Sequence, residues 1–297
     1  MKKEKLYDYF TKGLNPIFRG WIGAEIETHF IYPNGDPITI DCSQEIFKIL
    51  VNDGWRVVSM KGVLIAELAK NGAKILYELG RQNIEVATPP ADPECLFGVI
   101  NSFMSDLYLA AEKCNAYPLF APIIETEEDL LIIPDERDAS WLELDGVRQL
   151  GLLSKISSVQ FTFETKGPED AIYLLNKLSE NRDKFISSNP YAQEEMWVEY
   201  IQSSKAGYRP DRYGIMCPTS IGNYVELLTS HDVVINSKLV PFDEAEQENI
   251  DMFLRSVWWN FRLRRYSDRL CIEVRTLSRR DDGQILCDFN NLLSIIH

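Results

Sequence analysis

The sequence predicts an α+β fold: a curved, mainly antiparallel sheet with an acidic concave face, backed by helices. Three observations predict it. Short segments alternate apolar and charged residues, the period of a strand buried on one side only. Helix-periodic stretches separate them in a strand, helix, strand order. Glutamates Glu25, Glu27, Glu78, Glu85 and Glu273 sit on those otherwise apolar segments. Glu25 and Glu27 are two residues apart, so on a strand they point the same way. Like charges stacked on one sheet face oppose each other. Divalent cations between them reverse the sign, and hard cations such as Mg²⁺ take oxygen ligands and bridge to phosphates. The residues therefore imply a metal-binding sheet face with an ATP-like partner.

Trp21 to Tyr32 reads as the first central strand, and Asn34-Gly35-Asp36-Pro37 turns the chain. Asp41 to Asn52 reads as a helix with Ile46, Ile49 and Leu50 on one face and Asp41 or Ser43 as its cap. Trp55 to Met60 and Ala73 to Thr88 contain further strands, closed by Pro89-Pro90, which cannot donate to a ladder. Asp92-Pro93 starts a helix running to about Cys114, with Asp as cap and Pro in the first turn. Glu125 to Asp138 reads as a long loop. In Ser157 to Glu164, Val159, Phe161 and Phe163 share one face, while Ser158, Gln160, Thr162 and Glu164 share the other. A helix from Glu169 to about Ser187 follows, carrying Ile172, Leu175 and Leu178. Asp243 to Trp259 reads as helical, and Leu270 to Leu277 returns as a strand. There Ile272 and Val274 oppose Glu273 and Arg275.

A sheet whose polar face simply meets water is the plain alternative. Against it, the polar positions are nearly all Glu, Gln or Arg rather than Thr, Lys or Ser. Arg275 beside Glu273 also supplies a fixed positive charge suited to phosphate.

Composition bounds the rest. The 297 residues suit one large domain or two modest ones, and strand-like sequence resumes beyond the 125–138 loop, which favours a single domain over 1–297. The formal net charge of −14 argues against general nucleic-acid binding. No apolar run reaches the roughly 18 residues of a membrane span. Met1-Lys2-Lys3-Glu4-Lys5 is basic, but no apolar stretch follows it as in a secretory signal. A cytoplasmic protein with no membrane partner is expected. The six cysteines show no paired short spacing, which argues against zinc and for reduced, partly buried thiols. His29 continues the Glu25 and Glu27 face, either as a site residue or as an ordinary polar neighbour.

Four segments together resemble glutamate–cysteine ligases and related carboxylate–amine ligases, which have a glutamine synthetase-like catalytic fold. Gly23-Ala24-Glu25-Ile26-Glu27 resembles the family's opening Gly-x-Glu-x-Glu strand. Glu78 to Pro90 is similar to its second motif, in which two glutamates flank a glutamine; the turn here is Leu79-Gly80-Arg81-Gln82 where the plant-type branch has Pro-Gly-Gly-Gln. Ser158 to Glu164, with the following helix to Ser188-Asn189-Pro190, resembles a strand-and-helix unit of that branch, with Glu164 in place of an aspartate. Phe261 to Tyr266 and Ile272-Glu273-Val274-Arg275 resemble the closing arginine-rich and Glu-x-Arg segments.

The resemblance implies roles. Glu25, Gln160 and Glu273 would hold one Mg²⁺, and Glu27, Glu78 and Glu85 one or two others. Arg275 would contact transferring phosphate and act catalytically with Glu85. Arg81, Gln82 and Thr162 would lie near the amino-acid substrate, and Arg262 and Arg264 near nucleotide or phosphate. The implied activity joins a carboxylate, of glutamate or a related amino acid, to an amine through an acyl phosphate formed from ATP. The implied partners are these small molecules, and an oligomer is possible. Two other readings use the same face: a kinase releasing a phosphorylated product, and a non-catalytic nucleotide or amino-acid binding protein.

Overall fold

The computed structural model describes residues 2–132, 136–186, 191–204, 213–245, 250–254 and 256–297. The first half of the chain runs α1 (Lys3–Thr11), β1 (Ile22–Ile31), α2 (Ile40–Asn52), β2 (Arg56–Lys61), β3 (Leu64–Lys70), β4 (Ala73–Tyr77), β5 (Asn83–Ala87), α3 (Pro93–Lys113) and β6 (Tyr117–Leu119). Next come α4 (Glu136–Asp145), α5 (Val147–Leu153), β7 (Ser158–Glu164), α6 (Pro168–Glu180), α7 (Arg182–Ile186), α8 (Tyr191–Ser203), β8 (Tyr213–Gly214) and α9 (Ile221–Thr229). The chain closes with β9 (Val233–Ile235), β10 (Lys238–Val240), a 3-10 turn (Phe242–Glu244), α10 (Ile250–Leu254), β11 (Trp258–Trp259), β12 (Phe261–Tyr266), β13 (Arg269–Ser278) and α11 (Asp282–Ile296).

A nine-stranded sheet organises the molecule in the order β12-β13-β7-β1-β5-β4-β3-β2, with β6 also paired to β1. Its pairings are antiparallel. Alternation decides which side chains enter the core. Ile22, Ala24 and Ile26 of β1, Phe161 and Phe163 of β7, and Ile272 and Val274 of β13 are buried. They belong to one apolar cluster with Leu96, Ile100 and Leu107 of α3, Leu175 and Leu178 of α6, and Phe289 of α11. Each such Ile, Val, Leu or Phe side chain contributes about 1.5–3 kcal/mol by leaving water, so a one-residue slip that turned the glutamates inward is strongly disfavoured. A smaller cluster joins Trp141, Leu144, Leu150, Tyr200 and Ile201 of α4, α5 and α8, with Leu79, Tyr213 and Trp258 against it.

The helix caps follow local chemistry. Asp92 accepts from the Glu94 N–H at 3.0 Å, with Pro93 in the first turn of α3. For α2 the cap is Thr39, which accepts from the Cys42 N–H at 3.3 Å, and not Asp41 or Ser43. Ser43 lies inside the helix and bonds Tyr77 instead.

Three further expectations need correction. The helix expected from Glu169 to Ser187 stops at Glu180, where Asn181 caps it, and a second short helix follows. The stretch Asp243 to Trp259 is not one helix. It divides into the 3-10 turn, α10 and β11, because Trp258 and Trp259 pair in parallel with Tyr213 and Gly214. The expected 125–138 loop gives way to α4 at Glu136. Residues 133–135, 187–190, 246–249 and 255, on which parts of these expectations fall, lie outside the described residues. Of the cysteines, only Cys271 is buried, while Cys95, Cys217 and Cys287 are exposed. No helix among the described residues is long and apolar enough to cross a membrane.

Candidate functional site

A cavity of about 390 Å³ is lined by Glu25 and Glu27 of β1, Glu78 from the β4–β5 turn, Glu85 of β5, Ser158 and Gln160 of β7, Arg262, Arg264 and Tyr266 of β12, and Glu273 and Arg275 of β13. Register brings them together. Glu27 stands opposite Glu85, Glu25 opposite Gln160, and Arg262 opposite Glu273. Glu78 is set by the turn, where its N–H meets the Asn83 carbonyl at 3.1 Å.

Carboxylate oxygens of Glu27, Glu78 and Glu85 lie within 4.8 Å of one another. Glu27 is anchored by Ser158, whose N–H and hydroxyl donate to its two oxygens at 2.9 and 2.8 Å. Even so, burial raises its pKa to about 7. Glu85 is held well above the usual range by burial and then by Glu25, Glu78 and Glu27. Burial followed by the Glu273 charge raises Glu25 as well. Three hard oxygen donors converging under net negative charge fit a hard divalent cation. Glu27, Glu78 and Glu85 are the residues that would hold it.

Glu273 has a different environment. Its Oε2 accepts from Arg262 Nε at 2.7 Å, and its Oε1 accepts from the Tyr266 hydroxyl at 2.8 Å. Arg275 and Arg264 approach it at 3.7 and 3.8 Å. Burial works to raise the Glu273 pKa, but Arg262, Arg275 and Arg264 outweigh it and hold the group down at about 2. Glu273 is therefore an arginine organiser, with both oxygens already engaged. Gln160 is engaged similarly: its Oε1 accepts from Arg275 at 2.7 Å, and its amide donates to Glu27 at 3.3 Å.

The three arginines differ. Arg262 is buried and committed to Glu273 and to the Leu254 and Val257 carbonyls. Arg264 lines the cavity with an Nε that makes no hydrogen bond among the described residues. Arg275 is the most accessible of the three, its side chain 20% exposed.

Arg81, Gln82 and Thr162 do not line the cavity. Arg81 reaches the other way, from the Ile38 carbonyl to Asp129 and Glu128. Gln82 is wholly buried and donates to the Ser154 carbonyl and to His29 Nδ1. His29 spends its other ring nitrogen on the Lys155 carbonyl at 3.0 Å, and burial lowers its pKa to about 4. It is an ordinary polar neighbour beneath the site. Thr162 stands opposite Gly23 and Glu273 in the ladder, outside the lining. The three residues expected near the amino-acid substrate thus stand outside this cavity's lining. Glu164, the motif substitution, accepts from the Arg19 and Gly20 N–H groups and pairs with Arg269.

Sequence reading missed a further part of the lining. Trp141, Gln193, Glu194, Trp197, Tyr200, Tyr213, Trp258 and Asn260 also line the cavity. Of these, Trp258 falls in the stretch that the sequence reads as helical. The double tryptophan was the available signal, and the strand alternation separates its members: Trp259 is fully buried in the main core, while Trp258 turns to the cavity.

The chain is similar in structure to a bifunctional glutathione synthetase from Pasteurella multocida, with a TM-score of 0.55 at 12% identity over 99% of this chain and 40% of that one. It is also similar to glutamate–cysteine ligase from Francisella tularensis in complex with AMP, with a TM-score of 0.54 at 13% identity over 94% of this chain and 67% of that one. No family model matches the chain, and no curated protein sequence does. The chain thus shares the fold of these carboxylate–amine ligases while spanning about two-fifths of the first and two-thirds of the second.

Proposed function

We propose that the chain is an ATP- and Mg²⁺-dependent ligase that joins a carboxylate, of glutamate or a related amino acid, to an amine through an acyl phosphate. The observation that carries this reading is the convergence of Glu27, Glu78 and Glu85 within 4.8 Å, in a cavity that Arg264 and Arg275 also line. Likeness in fold to a glutamate–cysteine ligase solved with AMP supports it.

The acidic side would hold one or more ions, and bound Mg²⁺ supplies charge neutralisation on the phosphate oxygens. The chain's own residues do the rest. Arg275 and Arg264 bring fixed positive charge to an anionic carboxylate and to the γ-phosphoryl group, two partners that otherwise repel. Glu273 keeps those guanidiniums in place by accepting from or pairing with all of them, and Glu85 completes the acidic set. A substrate carboxylate oxygen attacks the γ-phosphorus, the bond to the bridging oxygen breaks, and ADP leaves. The amine then attacks the acyl carbon, phosphate departs, and the amine loses a proton. No protein nucleophile is required.

The test is ADP release with Mg²⁺ and ATP over paired amino acids and amines, glutamate first, with product analysis. An amide in the wild type that is lost in Glu27→Gln and Arg275→Ala supports the reading. A stable phosphorylated product would reassign the site to a kinase, and nucleotide binding without turnover across the panel would make it a binding protein.

A further inference from the structure

The cavity has two walls of opposite character. Besides the carboxylates and arginines, the lining has an aromatic wall built from four separate elements. Trp258 of β11 and Tyr213 of β8 are set side by side by parallel pairing. Trp197 of α8 lies parallel to Tyr213, with ring centroids 5.7 Å apart and planes 14° apart. Trp141 of α4 approaches Trp258 at 5.1 Å, and Trp197 approaches it at 6.3 Å. Core packing accounts for Tyr200, which is completely buried. It does not account for Trp197, Tyr213 and Trp258, which stay only partly buried and line the cavity. A polar edge borders these rings. Glu194 Oε2 accepts from the Tyr213 hydroxyl at 2.5 Å and faces Arg182 at 3.5 Å, while among the described residues its Oε1 has no such partner. The wall adjoins the acidic cluster directly: Leu79, the residue after Glu78, packs against the aromatic cluster.

We propose that this wall is a stacking subsite for a planar ring whose edge carries N–H donors. Either the base of the nucleotide or the indole-like ring of an arylalkylamine acceptor supplies that ring. The proposal deepens the ligase reading and rests on it for the identity of the two sources. Indole and phenol faces bind π-faces with little dependence on ring identity. They also attract an ammonium group, and the free oxygen of Glu194 accepts an N–H from the ring's edge or its amine. A small hydrophilic acceptor would leave this apolar surface wet.

Calorimetry on the full chain separates the sources. The probes are Mg·ADP against Mg·tripolyphosphate, and tryptamine against propylamine. Trp258→Leu removes the ring and keeps an apolar side chain, and Trp258→Phe restores a ring. A loss of about tenfold or more in Mg·ADP affinity in the leucine variant, with tripolyphosphate unchanged and phenylalanine restoring binding, supports the subsite and assigns it to the base. The same loss for tryptamine and not propylamine supports it and assigns it to the acceptor. Unchanged affinity for both ring probes in Trp258→Leu and in Trp197→Leu, or a wild type that binds neither ring probe better than its ring-free counterpart, overturns it. Should Trp258→Leu not fold, Trp197→Leu is read by the same criteria. Binding needs no turnover, so a failure of ADP release would sink the ligase reading while these titrations still judge the subsite.

Discussion

Glu27 faces Glu85 directly across the β1–β5 ladder, and both side chains are buried. Opposed like charges weaken a strand pair, and burial adds desolvation. The flanking apolar positions Ile26, Ile84 and Val86 hold the register against that cost.

Neutralising one member should therefore help the metal-free protein. Glu85→Gln is expected to raise stability in chelator at pH 8 by about 1 kcal/mol and to remove the gain in melting temperature that Mg²⁺ gives the wild type. Thermal melts with and without Mg²⁺ check both. A variant that is less stable in chelator and still gains from Mg²⁺ contradicts the like-charge account.

The pH dependence has a definite sign. The Glu27 pKa is raised from 4.5 to about 7 in the folded protein. The folded state thus binds this proton more tightly than the unfolded chain does. Its contribution is complete below 4.5 and is lost as pH rises through 7, by up to about 3 kcal/mol. In chelator, Glu27→Gln should flatten the decline in stability over that window. Mg²⁺ should stabilise the wild type more at pH 8 than at pH 5.5, with proton release on binding near pH 6.5 measured by calorimetry in two buffers.

Breaking the Glu273 hub is expected to cost more than any other polar change in the cavity. Arg262→Met leaves a buried carboxylate short of its closest partner, and loss of one member of a buried pair costs about 3–5 kcal/mol. Glu273 titrates with the opposite sign to Glu27. Its pKa is depressed to about 2, so its contribution is full above 4.5 and is lost as pH falls toward 2. Urea denaturation of Arg262→Met and Glu273→Gln measures the loss. A change below about 1 kcal/mol in both would show that the hub does not bear on stability.

Gly80 is a close-approach position. A Cβ there would lie 2.6 Å from the Ser154 carbonyl oxygen and 2.7 Å from Gln82 Oε1. Gly80→Ala is expected to destabilise by about 1–3 kcal/mol and to weaken Mg²⁺ binding, because the same turn sets Glu78 against Glu85. Arg81→Ala, on the outer side of that turn, should loosen the 128–131 segment and leave Mg²⁺ affinity as it was. The two variants, titrated side by side, separate the turn's two roles.

The site was half legible in the sequence. Alternation announced that Glu25 and Glu27 share a direction on β1 and Glu273 and Arg275 on β13, because side-chain direction on a strand is a local property. The failures were non-local. Arg81 and Gln82 stand next to Glu78 in the chain, yet their partners, Asp129 and Ser154, come from segments far away in sequence. Nothing in the pattern of β3, rich in helix-favouring Leu, Ala and Glu, announced a strand, since pairing with β2 and β4 overrides propensity there. Beyond the double tryptophan, the aromatic wall had no signal in the sequence, because Trp141, Trp197, Tyr213 and Trp258 come from four elements with no common periodicity.

What the sequence by itself determined is the alternation that puts apolar residues on one side of each strand and carboxylates on the other, a consequence of backbone geometry alone. Tertiary structure decided which carboxylates face each other, which one is surrendered to arginines, and what else lines the cavity. Those outcomes depend on strand order and register, which are settled by the packing of whole elements and not by any local stretch of chain.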